Sequence, residues 1–137
     1  MLIVLTMFNH FIHNSFFNGD ILAGILFLIM GTLIRKNPPA SMKAVFGYRT
    51  VLSTRNADTW KEGNLYAAHF SLRLSAILIP LGIFIGLIFR SQTRLFFFIT
   101  AASVAISALL LLGNTEWHLT RTFDEQGKRK NAPEKLP

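Results

Sequence analysis

The chain has 137 residues, about one domain's worth, of which 51% are hydrophobic and only 15% charged. Soluble domains carry roughly 25% charged residues, so the deficit argues for a membrane protein rather than a soluble one. The net charge of +7 sits in loops and tail beside apolar runs, without aromatic interleaving, which points away from nucleic acid and toward anionic headgroups. With no cysteine there is no disulfide framework, thiolate metal site or cysteine nucleophile.

Residues 1–20 open the chain with an apolar segment, Met1 to Ile12, too short to cross a bilayer. It has no basic n-region and no small-residue cleavage site, so it reads as an interfacial segment, or as the first turns of the first span, rather than a cleaved signal. A hydrocarbon core of about 30 Å takes about 20 helical residues. The first span is placed at 16–34, at the cost of including Asn18 and Asp20 near one end. The second is placed at 67–89, with Arg73 snorkelling toward the interface, and the third at 95–112, 18 residues without a charge. The expected architecture is all-α: a polytopic membrane protein of three transmembrane helices with an interfacial helical loop at 35–66 and a basic tail at 113–137.

Lys and Arg set the orientation. The first loop, with Arg73 just beyond it, holds seven and the tail five, whereas the second loop holds only Arg90 and Arg94. Three spans put the first loop and the tail on one side, and that side should be cytoplasmic, with the N-terminus outside.

The first loop is the dense polar part of the chain. Pro38 and Pro39 end the first helix, and Met42 to Phe46 forms a short apolar stretch at the interface. Gly47 permits a turn closed to other residues, and Asn56 reads as the N-cap of a helix with Asp58 in its first turn. That helix runs without a break into the second span. On it Trp60, Asn64, Ala67, Ser71 and Ser75 share a face, which should meet protein rather than lipid. Glu62, Tyr66, His69 and Arg73 form a neighbouring polar face. Trp60 also has a reading as an interfacial belt residue. Arg49, in a Gly47-Tyr48-Arg49-Thr50 turn followed by Ser53, offers a planar guanidinium suited to carboxylate or phosphate; its other reading is a topology charge.

After the third span, Thr122 to Gly127 reads as a helical turn closed by glycine, followed by a solvated, disordered basic tail. Glu116 or Asp124 is then a candidate partner for Arg49 or Arg55. Within the spans, Gly82-x-x-x-Gly86, and Ala101 and Ala105 with Ser103 and Ser107, permit close helix approach, either inside one bundle or in a homo-oligomer through Gly82 and Gly86. Pro80 should kink the second span. His10-x-x-His13 has helical ligand spacing but no third ligand nearby, and His69 and His118 are placed to meet. No nucleotide fingerprint or nucleophile–base pair is present, so the reading is a non-enzymatic protein with no metal and no cofactor.

The loop and tail together resemble the SdpI/YfhL family of small bacterial membrane proteins. The family pattern is an asparagine after the first span, a Gly-x-Arg-Thr turn, a Ser/Thr-and-Asn stretch and a tryptophan opening the next helix. Here those positions are Asn37, Gly47, Arg49, Thr50, Ser53, Asn56, Trp60 and Asn64. An acidic residue after the last span and a Phe-Asp-Glu-x-Gly tail match Glu116 and Phe123 to Gly127, including Asp124. The resemblance runs from about Ile21 to Lys130. Val51-Leu52 stand where members often have Pro-Trp, and the turn lies about ten residues beyond Asn37. The family's namesake is a longer protein with further spans. The resemblance implies a bacterial cytoplasmic-membrane protein with a role in immunity to a peptide toxin and in signalling. A toxin peptide, a cytoplasmic regulator or a lipid headgroup would meet the cytoplasmic polar patch. The alternative function is a small transporter or channel subunit, drawing on Pro80, the glycine pair and the polar stripe.

Overall fold

A computed structural model describes Ile3, residues 18–88 and residues 93–130. Three helices are seen: α1 (Gly19–Lys36), α2 (Ala57–Ile88) and α3 (Thr93–Thr122). Among the described residues there is no strand beyond an isolated antiparallel bridge between Phe123 and Arg129.

α1 starts where Asn18 caps it, the side-chain oxygen accepting the Ile21 N–H at 3.1 Å. The sequence reading took Asn18 as a polar cost at the edge of a span; it is the residue that begins the helix. α1 ends at Arg35 and Lys36, cations at the negative end of the helix, just before Pro38 and Pro39.

α2 begins as expected after Asn56, whose Oδ1 accepts the N–H groups of Asp58 and Thr59 at 3.0 and 2.9 Å. Thr59 Oγ1 in turn accepts the Asn56 N–H at 3.0 Å, so three otherwise orphaned donors at the helix start are satisfied by the two side chains. The helix continues through Pro80 to Ile88. α3 runs ten residues beyond the expected end of its span, to Thr122.

α2 and α3 are long and apolar enough to cross a membrane. α1 is shorter and carries Asp20, Arg35 and Lys36. Its apolar side chains Leu22, Leu26, Ile29 and Leu33 are nevertheless exposed, as are Phe97, Phe98, Ile106 and Leu109 on α3. Surfaces of this kind are the reverse of a water-soluble exterior.

The chain divides into two compact units, Met1–Ile29 with Leu72–Ala108, and Met30–Ser71 with Leu109–Pro137. In the first unit, glycines let helices approach closely. A Cβ at Gly24 would meet Ile79 Cγ1 at 2.6 Å, and one at Gly82 would meet Asn18 Oδ1 and Ile21 Cγ1 at 2.7 Å. Gly82 therefore serves packing of α1 on α2 within one chain. Asn18 Nδ2 donates to the Gly82 carbonyl at 2.7 Å across this contact. Ser107 is buried and Ser103 half-buried, whereas Ala101 and Ala105 are exposed.

The second unit is built around Trp60, Leu119, Ile34, Ala67, Ala68 and Phe123, all buried. The stripe anticipated on α2 is real: Trp60, Asn64, Ala67, Ser71 and Ser75 are all buried.

Candidate functional site

The second unit gathers most of the polar residues singled out in the sequence. Its centre is the turn at Gly47. This residue has φ +141°, a conformation side-chain-bearing residues avoid, and a Cβ there would meet Asn64 Oδ1 at 2.7 Å and the Trp60 ring at 2.9 Å. The turn is thus pressed flat against α2. Asn64 holds it: Oδ1 accepts the Tyr48 N–H at 2.7 Å while Nδ2 donates to the Trp60 carbonyl at 2.8 Å. Trp60 is 2% exposed and its indole N–H donates to the Pro39 carbonyl at 2.9 Å. The belt reading is therefore corrected, because both the ring and its polar edge are consumed inside the protein.

Thr50 and Ser53 form a second brace. Ser53 Oγ accepts the Thr50 N–H at 2.8 Å, and Thr50 Oγ1 accepts the Ser53 N–H at 3.2 Å. Ser53 Oγ also lies 3.1 Å from the Tyr48 carbonyl as a donor, and the residue is fully buried. Such side-chain-to-backbone bonds hold an irregular segment that has no helix or sheet ladder of its own. Gly63 of α2 allows the approach, with Ser53 Cβ 3.1 Å and Leu119 Cδ1 3.3 Å from where its own Cβ would stand.

On this frame Arg49 is exposed. Its guanidinium donates to the Ala44 carbonyl and lies over the Trp60 ring, 5.7 Å from the centroid. Neither Glu116 nor Asp124 pairs with it, contrary to expectation. Glu116 instead accepts the hydroxyl of the adjacent Tyr48 at 2.8 Å. Burial, and then that bond and the negative charge of Glu116, push the Tyr48 phenol well above its ordinary range, so it stays a donor. Asp124 turns its carboxyl to the N–H groups of Gln126 and Lys128, at 3.0 and 2.7 Å. Arg49 was expected to meet an acid because both carboxyls follow the third span. The turn sends Tyr48 inward to that acid and its neighbour outward. Asn37, after α1, is exposed.

The tail departs most from expectation. Thr122 to Gly127 is not a helical turn. α3 stops at Thr122 and the chain folds back as a tight turn, the Gly127 N–H donating to the Asp124 carbonyl at 3.0 Å. The Asp124 N–H then reaches the Lys128 carbonyl at 2.9 Å, and the Lys130 N–H the Thr122 carbonyl at 3.0 Å. Gly127 supplies the positive φ, +77°. Lys128 to Lys130 are therefore ordered. Arg129 donates to Glu62 Oε2 at 2.7 Å and lies over Phe123 at 5.3 Å, and the Lys130 ammonium donates to the Thr120 carbonyl at 2.6 Å. A disordered tail was anticipated because a run of three cations reads as one; the three residues are exposed, as expected, but the hairpin holds them. The acid that organises it, Glu62, lies 67 positions away.

Glu62 also takes His118, Nε2 to Oε1 at 2.9 Å, and the His118 ring stacks on Tyr66 at 4.0 Å. His118 thus meets Glu62 rather than the exposed His69. Burial alone would raise the Glu62 carboxyl, but the bonds from His118 and Arg129 outweigh it and hold the group below its ordinary range.

Loop and tail meet directly at Asn56, whose Nδ2 donates to the Gly127 carbonyl at 2.8 Å. Arg55 Nη1 donates to the Asp124 carbonyl at 3.3 Å. Beside these contacts lies a cavity of about 360 Å³ floored by Leu52, Leu119 and Phe123, with Arg55 and Lys130 among its walls. Asn56 therefore has two duties. Asn56→Ala should cost about 2 kcal/mol, from the lost cap and the stranded Gly127 carbonyl. Asn56→Asp, which keeps the cap oxygen and loses the donor, should cost less. Thermal unfolding in detergent micelles reads both; equal losses would mean that the cap contributes nothing, and an Asn56→Asp variant as stable as the wild type would mean that the tail contact contributes nothing.

Among the described residues no group of three or more His, Asp or Glu side chains is arranged to hold a metal ion. His10 and His13 lie outside the described residues.

The SdpI/YfhL protein family model matches residues 40–113, more than half of the chain. The chain belongs to the SdpI/YfhL protein family. One similar protein is described as "Uncharacterized protein YfhL" from Bacillus subtilis (strain 168), 33% identical over 66 residues. That match takes in 48% of this chain and 60% of the relative's length. No solved structure matches the chain. Family membership together with two bilayer-length apolar helices makes this a membrane protein.

The SdpI/YfhL match contains the whole clamp, from Gly47 to Asn64, and all of α2. It ends before Glu116 and the Phe123–Arg129 hairpin, and it begins after Asn37. The contacts missed from sequence, Tyr48 with Glu116 and Glu62 with His118 and Arg129, therefore join residues inside the family match to residues beyond it.

Proposed function

We propose that this SdpI/YfhL protein is a non-enzymatic, three-span protein of the bacterial cytoplasmic membrane. Its cytoplasmic patch around Arg49 binds an anionic group, from a lipid headgroup or a protein partner, and so confers protection from a membrane-active peptide or relays its presence. The observation that carries the reading is Arg49 itself. A planar cation is presented on the surface by a turn whose every neighbour is fixed, and it is bonded only to a carbonyl and a ring face. Such a guanidinium retains donors in a fixed fork for carboxylate or phosphate.

Three spans follow if α1 crosses as well. Its 18 residues are close to the length a bilayer needs, and its outward side chains are apolar. The charge asymmetry then places loop and tail in the cytoplasm and the N-terminus outside. The transporter reading draws on the buried polar stripe. Ser75, Thr100 and Ser107, however, each donate to a carbonyl of their own helix, which satisfies them without a water-filled path.

Arg49→Ala should abolish protection in cells challenged with the peptide while leaving the amount of protein in the membrane unchanged. Arg49→Lys, which keeps the charge and loses the fork, should protect partially. An alanine variant that protects as well as the wild type would remove the patch from consideration.

A further inference from the structure

Asp20 is the one buried carboxyl of the first unit. It is 0% exposed, and its Oδ2 is the only buried side-chain oxygen or nitrogen among the described residues that lacks a hydrogen-bond partner. Its Oδ1 meets Ser103 Oγ of α3. No cation pairs with it among the described residues, the ion pairs there being those of Glu62. Among the described residues the groups seen against it, Gly82 from α2 and Ser103 from α3, carry no titratable side chain.

Counting hydrogens decides what Asp20 is. Ser103 Oγ is also 3.0 Å from the Thr100 carbonyl, which accepts only. A serine hydroxyl has a single hydrogen and two acceptor lone pairs. If that hydrogen goes to the Thr100 carbonyl, the proton between Ser103 and Asp20 belongs to Asp20. If it goes to Asp20, the carboxyl is ionised with one hydrogen bond, an orphaned charged oxygen and no counter-ion, all out of water. Burying such an anion is far costlier than burying a neutral acid whose carbonyl oxygen lacks one bond. The positive end of α1 favours a charge in the first turn, but that effect is small against the desolvation of an ion.

We propose that Asp20 is an intramembrane proton-binding site, its carboxyl protonated at neutral pH and donating to Ser103 Oγ, which donates onward to the Thr100 carbonyl. The chain Asp20–Ser103–Thr100 joins α1 to α3 through one exchangeable proton. An intramembrane acid of this kind is a functional group by default, because an apolar residue would fill the space at lower cost. It does not depend on the role proposed for Arg49.

Infrared spectra of the purified protein in lipid nanodiscs at neutral pH test this. The wild type minus Asp20→Asn difference should contain the C=O stretch of a protonated carboxylic acid, with the carboxylate stretches unchanged. In Ser103→Ala the acid band should remain and move to higher frequency, because its O–H has lost its acceptor. That second variant reads the same group without touching Asp20, should the first fail to fold. A difference confined to carboxylate stretches, or the absence of any acid band, overturns the proposal.

Discussion

Trp60→Ala should destabilise the protein by about 3–5 kcal/mol, the range for removing a fully buried large aromatic. The ring is 2% exposed and it is the wall against which the Gly47 turn is pressed and over which Arg49 lies. Trp60→Phe separates the two contributions. It keeps most of the volume and strands the Pro39 carbonyl that the indole N–H serves, at a cost of about 1–3 kcal/mol. The other tryptophan is an internal control. Trp117 is exposed, so Trp117→Ala should stay within about 0.5 kcal/mol of the wild type. Unfolding in detergent micelles followed by circular dichroism reads all three. Equal effects at positions 60 and 117 would mean that Trp60 is not a core residue.

The second large effect belongs to Gly47→Ala. The backbone conformation alone should cost about 1–3 kcal/mol, since φ is +141°. The methyl group would also displace Asn64, whose oxygen holds the Tyr48 N–H at 2.7 Å, and the Trp60 ring. The sum should be on the order of 3 kcal/mol or more. Gly113→Ala in α3, with nothing within 4 Å of its new methyl, should instead stabilise by about 0.5–1 kcal/mol. If Gly47→Ala unfolds at the wild-type midpoint, the turn is not pressed against α2.

Both predictions concern residues visible in the sequence, and the reason is local. Gly47 announced a turn because glycine alone reaches that conformation, and Asn56 announced a helix start because its cap partners are two and three residues away. The buried stripe on α2 was legible for the same reason: its spacing is the period of one helix.

What local spacing cannot reveal is which distant group a polar side chain meets. Glu62 takes His118 and Arg129, and Tyr48 takes Glu116, over separations of 56, 67 and 68 positions. With those partners unseen, Arg49 was assigned the acid that its neighbour Tyr48 holds. Lys128 to Lys130 were read as a free charge run for the same reason. Gly127 was read as the glycine that ends a helical turn, whereas it sits in a chain reversal. Glycine at positive φ serves a helix end and a tight turn equally, and only the long-range contacts to Asn56 and Glu62 distinguish them. Asn18 could have been recognised, since an asparagine two residues before an acid, ahead of an apolar run, is a helix-start signature. The membrane context drew attention to its polarity instead.

The contacts that close the second unit have a consequence for how the protein is made. Asn56 meets Gly127 across 71 positions and Tyr48 meets Glu116 across 68. Synthesis proceeds from the N-terminus, so the loop that carries Arg49 emerges long before its partners exist. Until the last helix has been made and the hairpin closes, the Asn56 amide, the Tyr48 hydroxyl and the Glu62 carboxyl have only water or headgroups to bond. The loop that carries Arg49 therefore reaches its final form only after α3 and the Phe123–Arg129 hairpin have been made, late in biogenesis.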